Sequence, residues 1–329
     1  MTMQPQSPAE AAVMIQEAKA AGRPLWPAGR LGRLSGWKQL DDKREGIISA
    51  ARLNKVVSVE PENLLAVVEA GLTPAEVRRA IAPAGLCWPV SGHDNRSLGA
   101  IMAEGAVSLE TMARGPMTDW ILGTSFVEPS GRLISSGGRT LKNVSGYDLT
   151  RLHWKAWGSL GFVTGFILKC LPLPECSQIV EFQVDDAKAA ALAVENIIKA
   201  RIFPQGLHAV FKEGRWSVLL WLNGFADFVK AQSGLAQKAA RADALKIHDD
   251  AESFWDAHQA AWPLYAPCGG AWLGSRADLI GLIEVLGSAE AGLDSADIDL
   301  GGGLARINFQ GGSREALPHW PKGLEKEGP

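Results

Sequence analysis

Two glycine-containing segments in the middle of the chain carry the residue types and spacing that point most directly to ligand chemistry. The first spans residues 141–152, Leu-Lys-Asn-Val-Ser-Gly-Tyr-Asp-Leu-Thr-Arg-Leu, and the second spans residues 158–164, Gly-Ser-Leu-Gly-Phe-Val-Thr. Glycine has no Cβ, so a turn built from it can bring bare backbone close to a bulky partner. We interpret that partner as a cofactor.

The two segments resemble the FAD-binding domain of the PCMH-type flavoprotein oxidases, also called the vanillyl-alcohol-oxidase family. Within that family they are most similar to the FAD-binding E subunit of bacterial glycolate oxidase. There, Lys-Asn-x-x-Gly-Tyr-Asp-Leu and Gly-x-Leu-Gly-x-x-Thr occur in the same order. The resemblance is good over residues 25–174, whereas the C-terminal half agrees only in length and coarse pattern. It implies an α+β chain, with a PCMH-type two-subdomain FAD-binding fold followed by a smaller ferredoxin-like α+β domain.

The resemblance also implies three contacts with the flavin dinucleotide, whose pyrophosphate can be held by backbone N–H groups in tight turns. A loop after the first short strand would bind the pyrophosphate, a hydroxyl-bearing turn would approach it from the other side, and a third turn would pass under the adenine. The expected cofactor-binding residues are Pro27, Ala28, Gly29, Arg30, Leu31 and Gly32 in the loop, Ser97, Leu98, Gly99 and Ala100 in the second segment, and Gly158, Ser159, Gly161 and Val163 in the third.

Some of these positions depart from the family pattern. Ala28 and Ala100 stand where the family carries glycine, and Arg30 could compensate by donating to phosphate. Glu104 falls in a stretch that the family fills with small or neutral residues. A carboxylate facing the pyrophosphate would repel it by about 1–4 kcal/mol at 4 Å. Either Glu104 points away or flavin binding is weakened. Without the resemblance, a Gly-x-x-Gly loop such as residues 29–32 is weak evidence for a phosphate site, and an ordinary surface turn is the default interpretation.

We find no catalytic base in the sequence, so the catalytic residues stay unknown. The His-x-Gly-Asp-Gly-Asn-x-His segment of the family's catalytic subunit does not occur, and the C-terminal histidines at 208, 248, 258 and 319 are scattered. We expect each of them to be a surface or packing residue. The loop at residues 28–36 has no histidine for a covalent flavin link, and His93 is by default a solvated loop residue. FAD is therefore expected to bind non-covalently. The four cysteines lack zinc-site spacing, and we expect no metal.

Bulk composition excludes several classes of protein. The 329 residues, 47% of them hydrophobic, can bury ordinary cores, and the net charge of -3 argues against nucleic acid as a partner. Residues 1–10 are polar, which predicts no secretory signal, and no apolar run is long enough for a transmembrane segment. We expect a cytoplasmic chain, which could dock on the inner face of the cell membrane through a complex.

The pattern of elements predicts two domains and a tail. Residues 7–21 form a capped helix, and the sequence Thr-Pro-Ala-Glu at residues 73–76 predicts a capping box. Pro172 and Pro174 break the strand pattern, which places the FAD-binding domain at residues 1–174. A cap-like α+β domain follows at 175–317, with helices at 186–201 and 225–245, and 318–329 form a loose tail. The β-α-β-β-α order of the domain at 175–317 suggests a ferredoxin-like half, followed by an incomplete second half.

Three functions remain open. The first is an FAD-binding redox subunit of a glycolate or D-lactate type 2-hydroxy-acid oxidase, working with a catalytic flavin subunit and an iron–sulfur subunit. The second is a self-sufficient flavin oxidase of unknown substrate. The third is a structural subunit that has lost FAD. Ala28, Arg30, Ala100 and Glu104 favour the third function, whereas the intact segments at 147–149 and 158–161 oppose it.

Overall fold

A computed structural model describes residues 2–30, 46–92, 95–139, 148–242, 244–260, 269–288 and 293–309. Two compact units emerge from the contacts within it. The first contains Met1–Ser108 and Gly115–Leu173, and the second contains Leu109–Arg114 and Pro174–Pro329. The short segment Leu109–Arg114 belongs to the second unit, although our predicted boundary left it in the first domain. The predicted tail at 318–329 lies outside the described residues.

The described residues form strands and helices that alternate along the chain. The strands are β1 (Thr2–Met3), β2 (Leu25–Ala28), β3 (Gly46–Ser49), β4 (Val56–Glu60), β5 (Leu65–Glu69), β6 (Leu86–Cys87), β7 (Ile121–Val127), β8 (Leu133–Gly137), β9 (Phe162–Lys169), β10 (Leu171–Pro172), β11 (Cys176–Val184), β12 (Gly206–Lys212), β13 (Arg215–Gly224), β14 (Ala244–His248), β15 (Gly269–Leu273), β16 (Leu293–Asp299) and β17 (Leu304–Phe309). The α-helices are α1 (Pro8–Ala20), α2 (Pro74–Ile81), α3 (Leu98–Glu104), α4 (Thr111–Arg114), α5 (Leu149–Leu152), α6 (Ala187–Lys199), α7 (Ala226–Ala240), α8 (Ala251–Ala260) and α9 (Arg276–Ser288).

The first unit contains a parallel sheet and an antiparallel sheet. The parallel sheet has the strand order β1-β3-β2, and the antiparallel sheet has the order β4-β5-β9-β7-β8. Strands β6 and β10 form a separate antiparallel pair. One hydrophobic core of this unit, which includes Trp88, Met102 and Phe166, joins β5, β9, α2 and α3. Two of these elements, α3 and β9, carry residues of the predicted cofactor contacts, so those residues rest on a packed core.

The helix caps that we predicted for the first unit are present in the structure. Ser7 accepts the Glu10 N–H at the start of α1, with Pro8 at the first helical position. The capping box of α2 is complete, because Thr73 accepts the Glu76 N–H and the Glu76 carboxylate accepts the Thr73 N–H. Such caps satisfy backbone donors that would otherwise lack partners at a helix N-terminus, which is why they can be predicted from the sequence.

The second unit is built on a seven-stranded antiparallel sheet with the order β14-β11-β13-β12-β16-β17-β15. The first four strands, with α6 and α7 between them, follow a β-α-β-β-α-β path and confirm the predicted ferredoxin-like half. Strand β15, helix α9 and strands β16 and β17 supply a β-α-β-β second half. The two halves join where β12 pairs with β16.

The predicted helix at residues 225–245 is wrong beyond residue 240. Helix α7 ends at Ala240 because Arg241 adopts the left-handed conformation, with φ of +52°, and residues 244–248 then form β14 instead. Helix α8 and strand β16 were not predicted. We missed β16 because its alternation of apolar and acidic residues lies in a glycine- and aspartate-rich segment that resembles a loop.

The sheet of the second unit has two different faces. Along β12, Leu207, Ala209 and Phe211 pack into a large core with α6, α7 and α9. The intervening Val210 belongs to a smaller cluster on the other face, which also contains Trp255 of α8. This alternation follows the two-residue period of a strand. No helix in the described part of the chain is long and apolar enough to cross a membrane.

Candidate functional site

The first predicted contact lies at the end of β2, where the chain leaves the parallel sheet. Ala28 is aligned with Ser49 of β3, so the loop begins at Gly29. The Ser49 hydroxyl donates a hydrogen bond of 2.7 Å to the Gly29 carbonyl. This bond sets the orientation of the peptide that follows, so the start of the predicted pyrophosphate loop is held by two strands.

The second predicted contact lies directly against the first. A Cβ built on Gly29 would stand 2.1 Å from Ser97 Oγ and 2.9 Å from the Ala100 Cβ. Carbon atoms that are not bonded prefer a separation of about 3.5–4.0 Å, so this position accepts only glycine unless the neighbours move. The loop after β2 and the first turn of α3 are thus in contact through bare backbone.

The third predicted contact, the turn before β9, reaches the same loop. Gly158 has φ of +76°, and a Cβ there would lie 2.9 Å from each of two Pro27 side-chain carbons. The preceding Trp157 N–H donates to the Ala103 carbonyl of α3 at 3.0 Å. Three segments that are far apart in the sequence therefore meet around residues 27–29.

The other residues of the third contact shape the turn and the strand. The Ser159 hydroxyl donates to the Ala156 carbonyl at 2.7 Å. Gly161 has φ of +155°, and a Cβ there would lie 2.7 Å from the Val127 carbonyl oxygen. Val163 lies in β9 with a half-buried side chain. Gly161 is therefore packed against the end of β7.

The backbone donors at the start of α3 are already used within the protein. The N–H groups of Leu98 and Gly99 donate at 2.8 and 2.9 Å to carbonyls of the turn that follows β5. The Ala100 N–H donates to Ser97 Oγ at 3.3 Å. The backbone of this segment could therefore come close to a pyrophosphate. To bind it, however, the three N–H groups would have to give up their present acceptors within the protein.

The Arg30 side chain has partners of its own. Its Nε donates to the Gly71 carbonyl at 2.8 Å, and its terminal nitrogen pairs with the Glu76 carboxylate. Burial raises the pKa of Glu76, but hydrogen bonds from Arg30 and Thr73 and the Arg30 charge outweigh this and lower the pKa below its usual value. The guanidinium that we expected on phosphate thus links the loop to the capping box of α2.

Glu104, which we expected either to point away from the cofactor or to weaken its binding, forms an ion pair with Arg96. Both side chains are 13% exposed, so water screens the pair only weakly. An ion pair of this kind cancels most of the field that the carboxylate alone would project. The repulsion predicted for a lone carboxylate near the pyrophosphate is accordingly reduced.

Several predicted positions cannot be compared with the structure. Leu31, Gly32, His93 and residues 140–147, which include most of the Lys-Asn-x-x-Gly-Tyr segment, lie outside the described residues. Directly after that segment, Asp148 accepts the Arg151 N–H at 3.2 Å and caps the start of α5.

A second polar group lies in the second unit, and we did not find it from the sequence. His208 of β12 is paired with Asp299 of β16, and Asp297 of β16 is paired with Arg306 of β17. Because side chains alternate along each strand, all four project from one face of the sheet. His258 of α8 approaches the same face, where its Nε2 lies 3.4 Å from Asp297 Oδ2.

Asp297 is the centre of this group. Its Oδ1 shares a 2.8 Å hydrogen bond with His208 Nδ1, and its Oδ2 accepts a 3.0 Å bond from Arg306. Neither the His208 nor the Asp297 side chain is exposed to solvent. Asp299 Oδ1 lies 3.7 Å from His208 Nε2 and accepts the backbone N–H groups of residues 301–302 at 2.9 and 2.8 Å.

Burial and charge act in opposite directions on these groups. Burial alone would lower the pKa of His208, but the carboxylates of Asp299 and Asp297 raise it above its ordinary value. Burial would likewise raise the pKa of Asp297, yet His208 and His258 hold it well below the usual range. Burial raises the pKa of Asp299. The protonation state of each group therefore depends on the charges of its neighbours.

A sequence signal for this cluster existed in β16. Asp297 and Asp299 alternate with Ile298 and Leu300, which is the pattern of a strand that carries acidic groups on one face. Without that strand, His208 had no visible partner and was interpreted as a packing residue. Strand pairing across about 90 residues of sequence brings the groups together, and no local pattern reports it.

Comparison with known proteins supports an FAD-binding first unit. Residues 1–137 match the family model described as FAD binding domain. The glycolate oxidase subunit GlcD of Bacillus subtilis (strain 168) is 33% identical over 157 residues, which are 47% of this chain and 33% of that protein. The glycolate oxidase subunit GlcE of Escherichia coli (strain K12) is 30% identical over 125 residues, which are 37% of this chain and 36% of that protein. The chain thus spans about a third of the length of each relative.

The fold is shared more widely than the sequence. A solved structure of alkyldihydroxyacetonephosphate synthase superposes with a TM-score of 0.76 at 15% identity, covering 94% of this chain and 70% of that chain. Gly29 and Gly158 let the three segments, here called the cradle, approach one another closely, because a Cβ at either position would clash with a neighbouring side chain. Most of the matched residues 1–137 lie in the first unit, so this unit is similar to FAD-binding domains in sequence.

Proposed function

We propose that the chain is an FAD-binding redox subunit of a multi-subunit 2-hydroxy-acid oxidase or dehydrogenase of the glycolate or D-lactate type. The observation that carries this proposal is the meeting of residues 27–29 with Ser97, inside the matched residues 1–137, and with Gly158 of the same unit. FAD, held without a covalent link, would supply the acceptor for the two electrons that leave the hydroxyl-bearing carbon.

The residues of the cradle would bind and orient the cofactor through their backbone. Residues 27–32 would border the pyrophosphate, with the second segment, 97–100, on the opposite side. The turn at residues 158–163 would border the adenine. The side chain of Arg30 would keep its bonds to Gly71 and Glu76, so its backbone is the part offered to the ligand. This assignment agrees with the contacts between the three segments.

The proposed partners are a catalytic flavin subunit and an iron–sulfur subunit. Both relatives compared above are named as glycolate oxidase subunits, which supports a multi-subunit assembly. We expect the complex to be cytoplasmic and able to dock on the inner face of the cell membrane. The net charge of -3 gives no reason to propose a nucleic-acid partner.

The alternative of a structural subunit without FAD has its own support. The N–H groups of Leu98, Gly99 and Ala100 already have acceptors, and the Arg30 guanidinium is engaged. A cofactor would have to bind with fewer free donors than a glycine-rich pyrophosphate loop usually offers. A self-sufficient oxidase is the other alternative, and it would need a base that acts on the substrate.

Flavin content and anaerobic reduction distinguish these functions. The purified full chain is expected to show the visible absorbance of oxidised flavin, or to gain it after incubation with FAD and removal of the excess. Acid precipitation should release the flavin into the supernatant if it is bound non-covalently. A chain that stays colourless after incubation with FAD would favour the structural subunit.

The flavin-loaded chain is then mixed anaerobically with glycolate or D-lactate, and acetate, which lacks the hydroxyl group, serves as the control. As a redox subunit, the isolated chain should keep its oxidised spectrum until the catalytic flavin subunit is added. Bleaching by either hydroxy acid without a partner would instead identify a self-sufficient oxidase. Affinity purification from the source cells should recover a second flavoprotein and an iron–sulfur protein.

A further inference from the structure

We propose that His208, His258 and Asp297 form a binding site for a divalent transition-metal ion, most suitably Zn²⁺, in the second unit. One potential ligand atom from each of the three residues lies within 4.8 Å of the other two. Two imidazoles and a carboxylate form a donor set that suits zinc, and three protein ligands leave a fourth position open. The proposal makes no use of the flavin, so it stands or falls separately from the function proposed above.

The ligands come from three elements that the fold holds in place. His208 lies in β12, and its register partner on the adjacent strand β16 is Asp299. Asp297 lies two positions before Asp299 on that strand. His258 reaches the same face from α8, whose Trp255 ring packs 4.7 Å from the His208 ring. Strands in the middle of a sheet are rigid supports, and rigid support favours a preorganised metal site.

The His208–Asp297 hydrogen bond marks the proposed position of the metal. Its two atoms are 2.8 Å apart, and Asp297 Oδ2 is 3.4 Å from His258 Nε2. A metal ion bound by His208 Nδ1 and Asp297 would replace the proton that these atoms share. His208 Nδ1 and Asp297 Oδ1 would have to separate by about 0.5 Å, since two ligands at about 2.0–2.1 Å from zinc lie about 3.3 Å apart in a tetrahedron. All three ligand atoms lie within 4.8 Å of one another, so His258 would have to approach only slightly.

The second nitrogen of His208 provides an independent observation. His208 Nε2 is buried and hydrogen-bonds to none of the described residues, and Asp299 Oδ1 lies 3.7 Å away. A histidine that ligates a metal usually donates its other N–H to a carboxylate, which fixes the ring and raises its basicity. Asp299 is in position for this role, because two backbone N–H groups hold its carboxylate.

The charges of the cluster are compatible with a dication. Asp297 and Asp299 carry two negative charges when ionised, and Arg306, bonded to Asp297 Oδ2, carries one positive charge. With both histidines neutral the group has a net charge of -1, which attracts a cation. The Arg306 contact uses one lone pair of Oδ2 and leaves Oδ1 for the metal. Removing Arg306 should therefore strengthen metal binding, which is an unusual outcome for a change next to a site.

Zinc titration of the full chain tests the proposal. The chain is stripped with a chelator, dialysed, and titrated with Zn²⁺ by calorimetry, and Co²⁺ is used as a spectroscopic probe of tetrahedral coordination. One equivalent is expected to bind. His258→Ala and Asp297→Asn should each weaken binding at least about 100-fold, and Asp299→Asn should weaken it about 10- to 100-fold. Arg306→Met should leave binding intact or tighten it.

A matched control uses another histidine of the same unit. His248 pairs with Glu181 at 2.8 Å on a different strand pair, and His248→Ala should bind Zn²⁺ like the unchanged chain. Circular dichroism and thermal melting of each variant separate loss of binding from loss of folding, and Zn²⁺ should raise the melting temperature only where the site is intact. The proposal fails if the folded chain takes up no stoichiometric Zn²⁺, or if folded His258→Ala and His208→Ala bind it as tightly as the unchanged chain.

Discussion

Gly29 and Ser97 are so close that no side chain fits between them: a Cβ on Gly29 would lie 2.1 Å from Ser97 Oγ. Sixty-eight positions separate them in the sequence, and each came from a different predicted contact. Their contact means that the loop after β2 and the start of α3 must be tested together. It also means that a change at Ser97 should recover part of the FAD affinity lost by a change at Gly29.

Gly29→Ala should lower FAD affinity by at least about tenfold, equivalent to about 1.4 kcal/mol, because the new methyl group pushes the loop away from α3. Flavin fluorescence titration measures this. Adding Ser97→Ala should recover part of the loss, since the nearest clashing atom is removed, whereas Ala100 still lies 2.9 Å away. Equal affinity of Gly29→Ala and the unchanged chain would show that this contact does not shape the site.

The Gly158 turn can be tested against a glycine with the same backbone strain. Gly158→Ala introduces both a left-handed alanine, which costs about 1–2 kcal/mol, and a contact at 2.9 Å with Pro27. Gly85→Ala, at φ of +72°, introduces the strain alone, because nothing lies within 4 Å of the new Cβ. Both variants should lose stability in thermal melts, but only Gly158→Ala should also lose FAD. If both variants lost FAD to the same extent, the loss would be a consequence of lower stability and not of the Pro27 contact.

Gly161 is a poorer place for such a test. A Cβ there would lie 2.7 Å from the Val127 carbonyl in the adjacent strand. A Gly161→Trp variant would fill the expected adenine approach and should therefore expel FAD. In the structure even a methyl group would disturb the pairing of β7 with β9, so the tryptophan variant reports folding as much as binding.

The Arg96–Glu104 pair predicts a charge-dependent rescue. Arg96→Met should weaken FAD binding, because it removes the positive charge that pairs with the Glu104 carboxylate, which is 13% exposed. Arg96→Met with Glu104→Gln should restore most of the affinity and lose the salt dependence. The measurement is FAD titration at low and high ionic strength. If the double variant binds no better than Arg96→Met alone, the carboxylate is not the cause.

His153 predicts a pH dependence of stability. It is 4% exposed and packs 4.2 Å from the Phe126 ring, and burial lowers its pKa below the usual value. The unfolded chain, with a histidine pKa of about 6.5, then binds a proton that the folded chain does not. Stability should therefore fall as the pH drops below about 6.5, by at most about 1.4 kcal/mol per pH unit.

Urea unfolding between pH 7 and pH 5 checks this, and His153→Phe should flatten the profile. The phenylalanine keeps an aromatic ring against Phe126 and cannot take up a proton. An unchanged slope in that variant would assign the acid sensitivity to other groups. Flavin-free chain should be used, so that cofactor release does not contribute to the transition.

Much of the first unit could be predicted from the sequence, because its signals are local. The caps at Ser7, Thr73 and Asp148 satisfy backbone donors a few residues away, and the strand spans follow from short runs of β-branched residues. The end of α7 could not be predicted in the same way. The helix pattern continues to residue 245, and the left-handed Arg241 that ends it depends on the pairing of β14 with β11.

By itself, the sequence determined that glycine turns and capped helices occur where they do, and that two α+β layouts follow one another. These properties depend on interactions over a few residues. Only the tertiary structure decided that Arg30 bonds to Glu76 and that His208 meets Asp297. Such contacts depend on which strands become neighbours and in which register, and many sequence patterns are compatible with more than one answer.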